Sequence, residues 1–218
     1  MDHEPRPRVR PKKRRRDRLI RLAEGNPGWV VGFEDEVWWS RFALPSMHAW
    51  SDPGKPPRLV QRSAAKDDPD PKATSCYGLY LPGLDGHTWL RFVDGRPVSG
   101  TTTRFLSWCS EKLASLGKRV LVLVWDNASW HKSREVRRWI GEHNREAKKG
   151  HKEGVRIVGC LLPKQSPWLN PIEPKWVHGK RRVAEADGPL SAYELAERVC
   201  SAFDCAHHEH LSLPEKAS

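Results

Sequence analysis

The chain has 218 residues, five cysteines and a formal net charge of +11. Its length suits one α/β domain with an appendage, and its scattered cysteines, without a C-x-x-C spacing, argue against a disulfide framework or zinc knuckle and favour reduced thiols. No apolar run approaches the roughly 18 residues that a membrane span needs, so we expect a cytoplasmic protein with no membrane partner.

The positive charge is concentrated near the N-terminus. Ten of the sixteen residues at 6–21 are Lys or Arg, and the only acid there is Asp17. Such an arm is attracted to polyanions, above all nucleic acid, and Arg14, Arg15 and Arg16 are its candidate DNA contacts. Charge alone leaves a solvated tail as the alternative. We divide the chain into a basic arm or linker at 1–24, a folded domain at 25–210 and a tail at 211–218.

Hydrophobic periodicity predicts the elements in chain order. The first half is predicted to contain a short helical stretch at 19–23, a strand at 29–33 that ends in three acids, a possible strand within 41–50, a polar loop at 51–74, and a hairpin of strands at 76–81 and 88–93. The second half is predicted to contain a helix that ends near Gly117, a doubly buried strand at 119–125, a helix from Ser133, a strand at 155–162, a helix from Ile172 and a last helix at 193–203. This order favours an α/β fold, a mixed sheet flanked by helices.

Two acids follow predicted strands, which is where active sites of open α/β sheets lie. Asp35 follows the first strand and Asp126 follows the buried one. Two carboxylates brought together repel each other unless cations lie between them. Hard oxygen ligands suit Mg²⁺, and two such ions can activate water and stabilise the leaving oxygen of an in-line displacement.

Each acid also has a structural interpretation. Asp35 can be one of three acids at a solvated strand end. Asp126 can belong to a turn or cap, although Ser133 is the better cap and leaves Asp126 without a structural role. The spacing of Asn170 and Glu173 fits a helix-capping box, and spacing alone does not separate a cap from a metal ligand.

Two longer motifs carry a family resemblance. Val124 to Ser133 (VWDNASWHKS) resembles the second-aspartate motif of insertion-sequence 630 family transposases, relatives of the Tc-mariner elements. Residues 162–176 (LPKQSPWLNPIEPKW) closely resemble the third-acid motif of that family. Phe33 to Glu36 takes the place of the first-aspartate motif, and Trp50 with Gly54 resembles the W-x-x-x-G that follows it.

The resemblance implies a ribonuclease H-like fold, with acids on the first strand, after the fourth strand and on a late helix. It identifies Asp35, Asp126 and Glu173 as the catalytic ligands of two Mg²⁺ ions, for which Mn²⁺ substitutes. Asn127, His131 and Asn170 would support the site, although a packed histidine at a strand–helix junction is an alternative for His131. The DNA path would be lined by Lys164, Lys175, Lys180, Arg181 and Arg182. The 46 residues between Asp126 and Glu173 exceed the usual family spacing, and an enlarged helix and loop at 141–154 would absorb the surplus.

The implied activity is cleavage at transposon ends followed by strand transfer into target DNA, usually at a TA dinucleotide. We expect a nucleoid-associated bacterial-type homodimer, and a separately encoded helix-turn-helix protein that binds the ends, because nothing before Asp35 is long enough for such a domain. The alternatives are a catalytically silent or truncated DNA-binding fragment, or a structure-selective nuclease of the same fold. His207, His208 and His210 can hold a metal, although a solvated helix end is the simpler interpretation.

Overall fold

A computed structural model describes residues 9–43, 54, 63–150, 154–184 and 188–213. The predicted order of elements is confirmed, and its bounds are α1 (Val9–Glu24), β1 (Trp29–Ser40), β2 (Ala73–Leu81), β3 (His87–Val93), α2 (Ser99–Ser115), β4 (Val120–Trp125), α3 (Arg134–Lys149), β5 (Arg156–Leu161), α4 (Glu173–Val183) and α5 (Ala192–Ala202). None of these helices is both long enough and apolar enough to cross a membrane.

The five strands form one mixed sheet in the order β3-β2-β1-β4-β5. The hairpin of β2 and β3 pairs antiparallel, and β2 also pairs antiparallel with β1. β4 lies parallel to both β1 and β5. All six residues of β4 are buried, as its unbroken apolar run predicts for a central parallel strand. This arrangement is the predicted ribonuclease H-like sheet.

Alternating side chains of β1 divide the core between the two faces of the sheet. Val30 packs with α2 and α3, whereas Val31 faces the side that α1 covers. Val37 and Trp39 contact α4 and α5 on that second side. Because side chains alternate with a period of two, every odd-numbered residue from Val31 to Trp39 points toward the second side.

Two predictions near the N-terminus are wrong in extent. The helical stretch expected at 19–23 is the end of the sixteen-residue α1, whose Leu19, Ile20 and Ala23 pack against the sheet. The first strand does not stop at Phe33, because β2 pairs with it from Phe33 to Ser40. Asp35 therefore lies inside β1. Of the possible strand within 41–50, the structure describes only a turn and Ala43, and Trp50 lies outside the described residues.

Helix ends follow the predicted signals in the second half. The Ser133 side chain accepts a hydrogen bond from the Val136 amide at 3.1 Å and caps α3. Gly117 and Gly150 follow α2 and α3 with φ angles of +72° and +73°, a backbone region that favours glycine. Since α3 runs through Gly141 to Lys149, most of the surplus spacing before Glu173 belongs to a long helix.

Candidate active site

Asp35, Asp126 and Glu173 line one cleft at the edge of the sheet. Phe33 pairs with Val124 in the parallel register of β1 and β4, so two residues further on Asp35 lies level with Asp126. Glu173 reaches the same cleft as the first residue of α4. The three acids that the sequence singled out, 138 positions apart at the extremes, therefore converge in the fold.

Asp35 points toward α4, as its odd-numbered position on β1 requires. The indole Nε1 of Trp176 donates a hydrogen bond to its Oδ2 at 3.0 Å. Trp176 fits there because Gly78, opposite Asp35 on β2, has no side chain: a Cβ at Gly78 would lie 2.3 Å from the indole ring. Burial, followed by the negative charge of Glu173, raises the pKa of Asp35 to about 7, although the Trp176 bond opposes the rise.

Glu173 does not belong to a capping box. Ile172 occupies the cap position of α4 and no side chain caps the helix. The side-chain amide of Asn170 instead donates to the backbone oxygen of Glu34 at 3.1 Å, which fixes the loop before α4 to β1. Burial and the charge of Asp126 raise the pKa of Glu173. The Glu173 carboxylate is thus left to the cleft, and Asn170 has a structural contact.

Asp126 has a structural role, contrary to the sequence-based expectation. Its Oδ1 accepts hydrogen bonds from the Ala128 amide at 2.7 Å and from Nδ1 of His131 at 2.8 Å. Burial raises the pKa of Asp126, but these two bonds outweigh it and hold the pKa below its usual value. The side chain is 53% exposed, so the turn orients the carboxylate and leaves it open to the cleft.

His131 lies in a buried layer beneath Asp126. Its ring stacks on Trp125, with centroids 4.5 Å apart. Its Nε2 lies 3.1 Å from Oε1 of Glu36 and 3.3 Å from Oε2 of Glu34. Burial lowers the pKa of His131, but the charge of Glu34 and the bonds to Asp126 and Glu36 reverse the effect and raise it to about 11. The residue is therefore both a packed histidine and a neighbour of the cleft.

Glu34, Glu36 and His131 form the one group of three or more potential metal-ligand side chains found within the described residues. The two glutamates occupy even positions of β1 and face away from Asp35, toward α2 and α3. Glu34 and His131 have no exposed side-chain surface, and Glu36 is 8% exposed. His131, with its raised pKa, already supplies a cation beside these acids, and burial raises the pKa of Glu34 well above its usual value, so this buried group differs from the open cleft. The sequence motifs did not indicate this group, although the period-two alternation of β1 is a signal that places Glu34 and Glu36 on one face.

The side chain of Asn127 links the cleft to Leu162, which follows β5, and to helix α1. Its side-chain amide donates to the backbone oxygen of Leu162 at 2.5 Å. Lys12 of α1 donates to Oδ1 of Asn127 at 3.3 Å and to the same Leu162 oxygen at 3.2 Å. Helix α1 is thereby attached to two residues that line the cleft, and the basic segment lies beside the three acids.

The candidate DNA contacts of α1 differ in their exposure and in the bonds that they already make within the domain. Arg14 is exposed. Arg15 donates to the backbone oxygen of Gly159 at 3.3 Å. Arg16 donates to the Leu169 oxygen at 2.9 Å and pairs with Asp17 at 2.7 Å. Arg16 therefore braces the loop before α4, and Arg14 has the most freedom to meet phosphate.

The other candidate DNA contacts are Lys164 on the wall of the cleft and four basic residues of α4. Lys164 is exposed on its wall. On α4, the Nζ of Lys175 lies 4.2 Å from the centroid of the Tyr80 ring, a cation–π contact. Lys180 and Arg181 are exposed and line a neighbouring groove. Arg182 donates to the backbone oxygen of Ala202 at 3.4 Å.

Comparisons with known proteins identify a family and a fold. The family described as DDE superfamily endonuclease matches residues 31–191, a range that contains all three acids. Similar solved structures include the Mos1 transposase paired-end complex with left transposon end (17% identity, TM-score 0.59, 94% of this chain and 57% of that one). The Mos1 mariner paired end complex with Mn is 20% identical with a TM-score of 0.56, over 93% of this chain and 56% of that one. The catalytic domain of Mos1 mariner transposase is 16% identical with a TM-score of 0.52, over 94% and 86%.

Because the identities are low, these likenesses establish the fold alone. The chain spans slightly more than half the length of the proteins in the paired-end complexes, and most of the length of the separate catalytic domain. No curated protein sequence matches the chain.

Proposed function

The chain belongs to the DDE superfamily endonuclease family, and from that premise we propose that it is the catalytic domain of an insertion-sequence 630 family transposase. Its reaction is metal-dependent hydrolysis of phosphodiester bonds at transposon ends, followed by attack of the freed 3′-hydroxyl on target DNA. The observation that carries the proposal is the convergence of Asp35, Asp126 and Glu173 in one open cleft.

The chemistry of the cleft fits divalent cations. The charge of Glu173 contributes to the raised pKa of Asp35, and that of Asp126 contributes to the raised pKa of Glu173. Carboxylates whose ionisation is opposed by neighbouring carboxylates are stabilised when cations lie among them. Their donor atoms are all oxygen, which suits Mg²⁺ and Mn²⁺. We propose that these residues hold two Mg²⁺ ions, replaceable by Mn²⁺, which supply an activated water and charge stabilisation at the scissile phosphate.

Neighbouring residues orient two of the three acids, Asp126 and Asp35, for this role. His131 and the Ala128 amide fix the rotamer of Asp126 while the protonated imidazole favours the ionised carboxylate. Trp176 fixes Asp35 and excludes water from one of its oxygens. Such fixed contacts orient ligands before substrate arrives, which reduces the reorganisation that accompanies reaction.

DNA is the proposed partner, in the form of transposon ends and target. Lys164 is exposed on the wall of the cleft and Arg14 is exposed on α1, and neither has an ion pair within the described residues. Arg15, Lys175, Lys180, Arg181 and Arg182 extend the basic surface, whereas Arg16 braces the loop before α4. We further propose a homodimer, since two ends must be processed together, a separately encoded helix-turn-helix protein that selects the ends, and action at the nucleoid.

The test is an assay of DNA nicking and joining by the full chain. Supercoiled plasmid and a 5′-labelled oligonucleotide with a free 3′-hydroxyl are incubated with Mg²⁺, with Mn²⁺ or with chelator. We expect metal-dependent nicking and joining by the wild type, and a loss of at least 100-fold on Asp126→Asn. Asp85→Asn is the matched control, because Asp85 lies in the β2–β3 turn and lines a different pocket from the cleft.

Three results would redirect the proposal. Activity that survives Asp126→Asn would overturn the assigned mechanism. Nicking without any joining would favour a structure-selective nuclease. Metal-independent DNA binding with neither reaction would favour a catalytically silent fragment.

A further inference from the structure

A pair of histidines lies outside the cleft, in the segment that follows α5. The Nε2 atoms of His207 and His210 face each other at 3.4 Å. The other ring nitrogen of each is bound to a carboxylate: Nδ1 of His207 to Oε1 of Glu197 at 2.5 Å, and Nδ1 of His210 to Oδ1 of Asp94 at 2.9 Å. None of these four residues lines the cleft of the three acids.

The carboxylates determine which nitrogens carry hydrogen. An ionised carboxylate only accepts hydrogen bonds, so Nδ1 of both His207 and His210 must be the donor. In a neutral imidazole the other nitrogen, Nε2, then presents a lone pair. Two lone pairs directed at each other at this separation repel, and the arrangement is stabilised by a cation between them. That cation is either a shared proton or a metal ion.

The separation suits a metal ion. Two nitrogens bound tetrahedrally to Zn²⁺, each at about 2.0–2.1 Å, lie about 3.4 Å apart. Histidine ligands of metals usually donate their other N–H to a carboxylate, which fixes the tautomer and the ring orientation. Glu197 and Asp94 supply that contact to His207 and His210. From the sequence alone, a solvated helix end is the simpler interpretation of His207, His208 and His210. The sequence did not show that Glu197 and Asp94 bind two of these rings.

We propose that His207 and His210 together bind one divalent transition-metal ion of the Zn²⁺ type, oriented by Glu197 and Asp94. Within the described residues no third His, Cys, Asp or Glu side chain completes a cluster around them. The histidine side chains are 14% and 27% exposed, so water can reach the remaining coordination positions. The site is therefore an accessible two-histidine site.

The ion would fasten the C-terminal segment to the domain. Glu197 lies on α5, Asp94 directly follows β3, and Leu211 of the same segment bridges to Val93. The rings of both histidines also contact Phe92, with centroids 5.5 and 5.8 Å away. Binding at this point joins three separate parts of the chain, so it stabilises the folded state by mass action.

The test uses the full chain stripped of metal, with excess Mg²⁺ present to occupy the cleft. Zn²⁺ is titrated by calorimetry and its effect on Tm is measured. We expect one equivalent to bind and Tm to rise, with both effects lost in His207→Ala and His210→Ala. His208→Ala is the matched control, because His208 lies between the pair in sequence but packs on Trp108, at a centroid distance of 5.2 Å.

Two further variants keep the test decisive if an alanine variant fails to fold. Glu197 and Asp94 are about half exposed, so Glu197→Gln and Asp94→Asn should fold while weakening Zn²⁺ binding about 10- to 100-fold. As a direct measure, Cu²⁺ bound to the wild type should show an electron paramagnetic resonance signal split by two nitrogens. Unchanged Zn²⁺ stoichiometry and affinity in all four variants would overturn the proposal and leave a shared proton between the rings.

Discussion

The Nδ1 atom of His131 lies 2.8 Å from Oδ1 of Asp126, and the opposite nitrogen of the same ring lies 3.1 Å from Oε1 of Glu36. One imidazole thus joins an acid of the open cleft to a buried acid on the other face of β1. Asp35 and Glu36 are adjacent in sequence, yet one faces the cleft and the other supports the residue that orients Asp126. Strand β1 therefore supplies one acid to the open cleft and another to the buried layer beneath it.

Replacement of His131 should destabilise the protein. His131→Gln leaves Glu36 without its buried cation, and removal of one partner from a buried ion pair costs about 3–5 kcal/mol. Burial raises the pKa of Glu34 well above its usual value, so Glu34 can take up a proton instead. Urea unfolding at pH 6 checks the free energy of unfolding. His87→Gln, an exposed histidine at the start of β3, is the control and should change it little.

The same contact predicts a pH dependence. His131 has a pKa of about 11 in the folded chain and about 6.5 when unfolded. Its stabilisation is fully present below pH 6.5 and is lost as the pH rises toward 11, because the folded state holds a proton that the unfolded state has released. The free energy of unfolding should fall over this window in the metal-free wild type. An equal fall in His131→Gln would contradict the assignment.

Asp35 should oppose folding when metal is absent. Its pKa rises from 3.8 to about 7 on folding, so stability is lost between these values as the pH rises. Asp35→Asn removes this loss, and at pH 8 the metal-free variant should be more stable than the wild type, with no such advantage at pH 4. Thermal unfolding at the two pH values measures the difference.

Proton release on metal binding gives a second measure of the protonation of Asp35. At pH 6.5 part of the Asp35 population is protonated, so addition of Mg²⁺ should release protons, because metal ligands bind in the deprotonated form. Calorimetry in buffers with different ionisation enthalpies counts those protons. The release should be smaller for Asp35→Asn, and an unchanged count would place the titrating group elsewhere.

The sequence predicted the order of elements because that order depends on patterns that local residues carry, and the family motifs indicated the three acids that line the cleft. The apolar run of β4 requires burial on both faces, and Ser133 caps α3 by its own side chain. The predicted first strand was too short, because the acidic residues after Phe33 resemble the solvated end of a strand. Pairing with β2, which comes more than thirty residues later, is what continues the strand to Ser40.

The supporting contacts of the site were less predictable for a similar reason. Asn170 and Glu173 have the spacing of a capping box, but the Asn170 amide binds the backbone of Glu34, 136 positions away. The partner of His131 on β1 and the indole that binds Asp35 likewise depend on how distant elements pack. Motif spacing indicated which residues matter, and the tertiary structure determined what each one contacts.

Loss of the Trp176 hydrogen bond should shift the pH profile of DNA nicking. The bond from its indole nitrogen lowers the pKa of Asp35, so Trp176→Phe should raise that pKa and move the acidic limb of the profile to higher pH. Nicking rates from pH 5.5 to 9 at a fixed, sub-saturating Mn²⁺ concentration, where the proton on Asp35 competes with the metal, give the limb. A uniform fall in rate with no displacement would show that the ring acts only through packing.

The two neighbouring arginines of α1 should separate DNA binding from stability. Arg14 is exposed, so Arg14→Gln should weaken binding to duplex DNA and reduce the slope of log affinity against log salt by about 0.9, the loss of one phosphate contact. Arg16 binds Asp17 and the Leu169 oxygen, so Arg16→Gln should lower Tm by a few degrees and leave the slope nearly unchanged. Binding isotherms from 50 to 200 mM salt, together with thermal unfolding of both variants, make the comparison. If Arg14→Gln leaves the slope intact and Arg16→Gln reduces it, the DNA path instead follows the α1 face that contacts the loop before α4.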